Sequence, residues 1–308
     1  MSDQAIKEII EKVKAKELRT LSRLISDAEN QEYRVYNVLE FFYEKLGNAQ
    51  TIGITGPPGA GKSSLTACFI RYVRELKKTV AVVAVDPVSP FTGGALLGDR
   101  IRLSEHFNDP GVYIRSLSTR GKLGGLSLAT RQVVQLLDAF GFDYIIIETV
   151  GVGQSEIDVR KIADLTLLTL VPESGDGIQT LKAGILEIAD LIVVNKSDRE
   201  GADKLVQDLK NMAQMSKKDE NQVFSTSTLN DSSVRSLFNA VEKFLSEEKE
   251  KIAERRNVRS LSSVREMLTD FVLRELGEWL QKQKTEEANP YKFALEFQRR
   301  HPKGSLLK

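Results

Sequence analysis

One cysteine, Cys68, two histidines, His106 and His301, and a single tryptophan stand among 308 residues. A lone cysteine excludes a disulfide framework and any CxxC metal site. Two distant histidines exclude a histidine-rich metal centre. Neither sign of charge dominates: 44 Lys and Arg face 43 Asp and Glu, a formal net charge of +1. No field of the whole molecule therefore draws it onto nucleic acid or an anionic membrane. No uncharged apolar run approaches the ~20 residues that span a bilayer. The opening stretch MSDQAIKEIIEKVKAKE is charged from its third residue and lacks the pattern of a signal peptide. These absences lead to the expectation of a cytoplasmic protein with no nucleic-acid or membrane partner.

What is present suffices for a core: 41% apolar and 28% charged residues. The length suits one large α/β domain with extensions. Over residues 1–48, Ile6, Ile9, Ile10 and Val13, then Leu18, Leu21, Leu24 and Ile25, recur at helical spacing. From about residue 50, short apolar runs alternate with amphipathic stretches. The runs are TIGIT (51–55), TVAVVAV (79–85), VYIRSL (112–117), YIIIE (144–148), LTLLTLV (165–171), LIVVN (191–195) and VFSTS (223–227). Near-continuous apolar strands separated by helices predict a doubly wound, mostly parallel α/β sheet, with ligands beyond its carboxyl ends. From 249 onwards no such run occurs. Leu261, Val264, Leu268, Phe271, Val272, Leu276, Trp279 and Leu280 form one helical stripe with a modest basic excess. Aromatic and basic residues do not interleave there as a nucleic-acid surface requires, so a helix packing on a partner subunit is expected. The organisation read from this is a helical extension (1–48), a nucleotide domain (49–248) and a helical dimerisation arm (249–308).

Residues 56–63, GPPGAGKS, fit G-x-x-x-x-G-K-[ST] between a strand and a helix. In that setting the backbone of Gly56, Pro57, Pro58, Gly59, Ala60, Gly61, Lys62, Ser63 and Ser64 wraps a phosphate, aided by the helix N-terminus. Lys62 would neutralise β and γ oxygens, and Ser63 would ligate Mg²⁺. A glycine-rich turn alone would need neither the Lys-Ser pair nor the strand–helix flanks.

NKSD (195–198) ends another apolar run. An Asp198 carboxylate accepts two hydrogen bonds from guanine N1–H and its 2-amino group. Adenine offers neither, so such a site rejects it. Asn195 would brace the loop and Lys196 would lie along the base. Ser227, Thr228 and Leu229 follow the last run and suit the loop whose N–H meets guanine O6. A Ser/Thr-rich turn is the alternative there.

Asp86 and Glu148 close two runs, and Asp99 lies in GGALLGDR; all three are candidates for the Mg²⁺ neighbourhood. The competing role for each is a helix cap or a surface carboxylate. Gly151, in ETVG, would give an N–H to the γ-phosphate, and the following segment would relax on hydrolysis. Gln154 is a candidate for positioning water, with a structural role as the alternative. Arg100, Arg102, Arg115 and Arg120 are candidate charge stabilisers.

GITGPPGAGKSSL, VDPVSPFTGGALLGDRIRL, VYIRSLSTRGKLGGLS, IIIETVGVGQSE and VNKSD together resemble the MeaB/ArgK family of P-loop GTPases, once labelled transport ATPases or kinases. The resemblance runs from about residue 20 into the C-terminal helices. It implies a sheet like those of signal-recognition and metallochaperone GTPases, and homodimers. It also implies a GTPase (GTP or GDP with Mg²⁺) that chaperones an adenosylcobalamin-dependent acyl-CoA mutase, chiefly methylmalonyl-CoA mutase, in cofactor loading and protection. Carried over by motif, Gly56 to Ser64 bind phosphates, Ser63, Asp86, Asp99 and Glu148 surround Mg²⁺, and Asp198 with Ser227–Leu229 hold guanine. Thr228 departs from the alanine common at its position. Isobutyryl-CoA and related mutases have similar G-proteins. The competing readings are a metallochaperone GTPase, which would need Cys and His ligands, and a transport-associated ATPase or kinase, which NKSD disfavours.

Overall fold

A computed structural model describes residues 3–86, 103–118, 128–149, 158–173, 189–215 and 222–281, with 295 and 299. Two compact units result, Met1–Ala253 and Glu254–Lys308. In chain order the first unit contains α1 (Asp3–Lys14), α2 (Leu18–Glu29), α3 (Arg34–Phe42), β1 (Gln50–Thr55), α4 (Lys62–Glu75), β2 (Val80–Asp86) and β3 (Val112–Ser118). There follow α5 (Leu128–Phe140), β4 (Tyr144–Thr149), β5 (Leu165–Leu170), β6 (Leu191–Val194), α6 (Ala202–Met215), β7 (Val223–Ser225) and α7 (Asp231–Glu247). A long helix, α8 (Lys249–Gln281), supplies the second unit's described helix.

All seven apolar runs are strands of one sheet, ordered β3-β2-β4-β1-β5-β6-β7, and every neighbouring pair is parallel. This is the doubly wound α/β fold. The last strand stops at Ser225, short of the run's end, and the Thr226 N–H still donates to the Val194 carbonyl of β6 (2.8 Å) while its own carbonyl accepts from the Ser197 N–H (3.0 Å). The strands read as continuous apolar runs because both faces are covered. Side chains alternate across the sheet, so each strand feeds two cores. Val80, Val82, Tyr144 and Ile146 join Leu65, Phe69 and Val73 of α4 and Val234, Leu237 and Phe238 of α7 on one face. Ala81, Val83, Val85, Ile145 and Ile147 lie on the other, against Val133, Leu136 and Leu137 of α5. That second core also takes in Ile10, Leu21, Leu24, Ile25, Val35 and Val38, so α1–α3 share a core with the sheet. Burying each such large side chain contributes about 1.5–3 kcal/mol. Among the described residues, no helix is long and apolar enough to cross a membrane.

Register is pinned at the amino ends of the strands. Asp143, Asp164 and Asp190 immediately precede β4, β5 and β6. Their carboxylates accept from the backbone N–H of Thr79 (2.8 Å), Thr51 (2.9 Å) and Thr166 (2.9 Å) on the adjacent strand or just before it. A one-residue slip would break these bonds and turn each strand's apolar rows to the wrong faces.

Candidate functional site

β1 lies between β4 and β5, where the strand order reverses direction, and the phosphate loop leaves its carboxyl end there. The loop needs unusual backbone. Gly56 has φ +140°, and a Cβ there would lie 2.0 Å from the Thr169 carbonyl oxygen. Gly61 has φ +83°, and its Cβ would meet Asn195 Nδ2 at 2.3 Å. Helix α4 starts at Lys62, directly after Gly61. The buried Lys62 Nζ donates to the carbonyls of Gly56 (2.7 Å) and Pro57 (3.0 Å), which holds the ammonium over the loop. Pro58 and Gly59 are exposed at the loop's crest, Ala60 is buried, and Ser64 is half-buried on α4.

The alternation of β4 decides where Glu148 points. Tyr144 and Ile146 face α4, and Glu148 is the next residue of that row. It therefore meets the polar first turns of α4. Ser63 Oγ donates to Glu148 Oε1 at 2.6 Å, and Thr66 Oγ1 donates to Glu148 Oε2 at 3.0 Å. The carboxylate is only 6% exposed, so these charge-assisted bonds offset its desolvation. Because Ser63 spends its proton on Glu148, its lone pairs can serve a cation. An anchored carboxylate behind a hydroxyl is a fitting donor set for Mg²⁺. On the opposite face, the buried Thr149 hydroxyl donates to Thr55 Oγ1 at 2.9 Å and ties the ends of β4 and β1.

The base loop is latched to the phosphate loop. The buried Asn195 donates through Nδ2 to the Ala60 carbonyl (2.9 Å), and its Oδ1 accepts from Thr226 Oγ1 (3.3 Å). Lys196, at φ +57°, donates through Nζ to the Gly59 carbonyl (2.7 Å), so its stem runs beside the loop. Asp198 is exposed and accepts from Ser227 Oγ at 2.5 Å. That hydroxyl, its own backbone N–H, and Arg199 and Lys196 hold its carboxyl below the usual aspartate range. Ser227 is buried, while Thr228 and the 87% exposed Leu229 stand out beside it.

Phosphate-loop, Glu148 and base-loop residues thus converge at one end of the sheet. Asp86 closes β2 beside β4, but its side chain lies outside the described residues, as do Asp99, Gly151, Gln154, Arg100, Arg102 and Arg120. Arg115 serves a different purpose. It lies in β3 and binds Glu29 (2.6 Å) and Ser26 (3.0 Å) of α2. Sequence reasoning passed over Thr66, Thr55, Thr149 and Thr226. For Thr66 a signal existed: hydroxyls at 63 and 66 stand at i and i+3, one face of one helix.

The family described as methylmalonyl-CoA mutase-associated GTPase MeaB matches residues 21–279. A Pyrococcus horikoshii protein named as a GTPase is 54% identical over 200 residues, covering 65% of this chain. The match spans 63% of that relative's length, short of two thirds. The mitochondrial methylmalonic aciduria type A homolog of Mus musculus is 47% identical over 147 residues, covering 48% of this chain and 35% of its own. Among solved structures, a LAO/AO transport system kinase shares the fold, with a TM-score of 0.71, 22% identity and coverage of 98% of this chain and 99% of the other. With the family match spanning the phosphate loop, Glu148 and the base loop, this chain belongs to the MeaB family of mutase-associated GTPases.

Proposed function

We propose that this chain is a Mg²⁺-dependent GTPase that chaperones an adenosylcobalamin-dependent acyl-CoA mutase, methylmalonyl-CoA mutase first among candidates, coupling hydrolysis to cofactor loading and mutase protection. One observation carries the reading. The phosphate loop is bonded both to a buried strand-end carboxylate, through Ser63–Glu148, and to the base loop, through Ala60–Asn195. A nucleotide reaching between the loops would have its triphosphate and its base read by one connected network.

In this reading Lys62 draws charge from the β and γ oxygens, and Asp198 selects guanine over adenine. Ser63, Asp86, Asp99 and Glu148 would hold the metal. When bound, Mg²⁺ supplies positive charge to the phosphate oxygens. Gly151 would give an N–H to the γ-phosphate, and Gln154 would position water. Water adds to the γ-phosphorus as the bond to the GDP oxygen breaks, giving GDP, phosphate and a proton. Catalysis is by position and charge. A homodimer through the C-terminal arm is also part of the proposal. Val258, Leu261, Val264 and Leu268 of α8 are exposed at i, i+3, i+6 and i+10, a stripe that a second copy would cover.

The deciding experiment is GTP hydrolysis, with ATP as control, with and without purified methylmalonyl-CoA mutase. GTP-selective turnover that the mutase alters is the expected result. Preference for ATP would overturn the base-site reading. GTP-selective turnover indifferent to that mutase would move the chaperone role to another client. GDP binding unchanged in Lys62→Ala and Asp198→Ala would sink the site assignment.

A further inference from the structure

We infer that Thr66, which lies outside the phosphate-loop motif, is a positioning residue for the metal end of the site. The inference rests on the nucleotide reading above. Ser63 and Thr66 lie three residues apart on α4, both buried, with hydroxyls on the same side. Each serves a different oxygen of Glu148: Ser63 the Oε1 at 2.6 Å, Thr66 the Oε2 at 3.0 Å. A carboxylate held through one oxygen can turn about its Cγ–Cδ bond. Held through both, its plane is fixed. The orientation of Glu148 in turn decides where the Ser63 hydroxyl sends its proton, and so where the serine's lone pairs point. Thr66 therefore acts through Glu148 and Ser63 on the cation that Ser63 would ligate, without touching nucleotide or metal itself.

The fold supplies the reason that a hydroxyl occupies this position. The α4 face looking onto β4 is apolar from Leu65 through Phe69 to Val73, and all three are buried. An aliphatic side chain at 66 would suit that face. It would leave a buried carboxylate oxygen without this donor, which costs far more than the exposed alternative would.

The test is a Mg²⁺ titration of the dissociation of a fluorescent GDP analogue from the full chain, alongside kcat and KM for GTP. Thr66→Val keeps the side-chain shape and removes the donor. The expected result is a rise of about tenfold in the Mg²⁺ concentration for half-maximal retention, the cost of one bond to a charged group. A fall in kcat should accompany it, with KM for GTP little changed. Thr66→Ser should restore the low Mg²⁺ requirement. In a Glu148→Gln background, Thr66→Val should add little, because the two act as one unit. A Thr66→Val chain with the wild-type Mg²⁺ requirement would overturn the inference, as would an equal loss in the Glu148→Gln background. Should Thr66→Val fail to fold, Thr66→Ala against Thr66→Ser makes the same comparison. Absence of Mg²⁺-dependent GDP retention in the wild type would instead defeat the nucleotide reading beneath it.

Discussion

Asn195 and Ala60, 135 positions apart, are joined by a 2.9 Å hydrogen bond from the Asn195 amide to the Ala60 carbonyl, and this bond fastens the base loop to the phosphate loop. Asn195 also accepts from Thr226, so it ties the loop after β7 to the phosphate loop. Asn195→Ala should weaken GDP binding about 10-fold to 100-fold, since a buried, doubly bonded amide is lost. Isothermal titration would check this. Affinity within about twofold of wild type would show that the latch is dispensable.

Gly56 and Gly61 are sensitive for different reasons. At Gly56 a methyl group meets the backbone oxygen of Thr169 at 2.0 Å, and β5 cannot give way. Gly56→Ala should lower stability by on the order of 3 kcal/mol, from overpacking and backbone strain together. At Gly61 the methyl would clash with the Asn195 side chain, which can swing aside, and the φ of +83° adds backbone strain. Gly61→Ala should therefore lose GDP affinity by unhooking the latch, at a smaller cost to stability. Urea unfolding and GDP titration of both variants separate the two effects, and equal midpoints would contradict the argument.

The Ser227 hydroxyl, then the Asp198 backbone N–H, keep the Asp198 carboxyl below its ordinary value of 3.8. The sign follows directly. A depressed carboxyl keeps its ionised, accepting form at lower pH, and what depends on that form is lost only as pH falls through the depressed value. Ser227→Ala should return the carboxyl towards 3.8 and move the acid limb of GDP binding to higher pH. GDP affinity measured at stepwise lower pH, with the fold followed by circular dichroism, gives the comparison. Coincident acid limbs in the two proteins would refute the role of Ser227.

Thr169 is fully buried, and its hydroxyl has no hydrogen-bond partner among the described residues. Thr169→Val should leave stability unchanged or raise it by about 1 kcal/mol, because an unpaired buried hydroxyl is replaced by a methyl of the same shape. Thermal unfolding measures this. A clear fall in Tm would mean that the hydroxyl has work in the folded state.

The sequence by itself determined the strands, and it is the source of the proposed phosphate and base loops. The strands were legible because both faces of a parallel sheet are dry, so each strand is a short apolar run. The two proposed loops could be read as motifs because Gly56 to Ser63 and Asn195 to Asp198 are each a short contiguous stretch beside a strand. Tertiary structure alone decided the strand order, the core shared by α1–α3 and the sheet, and the partners of Glu148, Asn195 and Arg115. A carboxylate at the end of one strand has no local signature for the helix it will face. That Glu148 meets Ser63 and Thr66 follows from the parity of β4 against α4 across 82 to 85 positions of chain. Arg115 looked free to serve phosphate until α2 brought Glu29 to it. Such pairings arise when packing closes the chain over long separations, and a sequence pattern records only what its neighbours along the chain enforce.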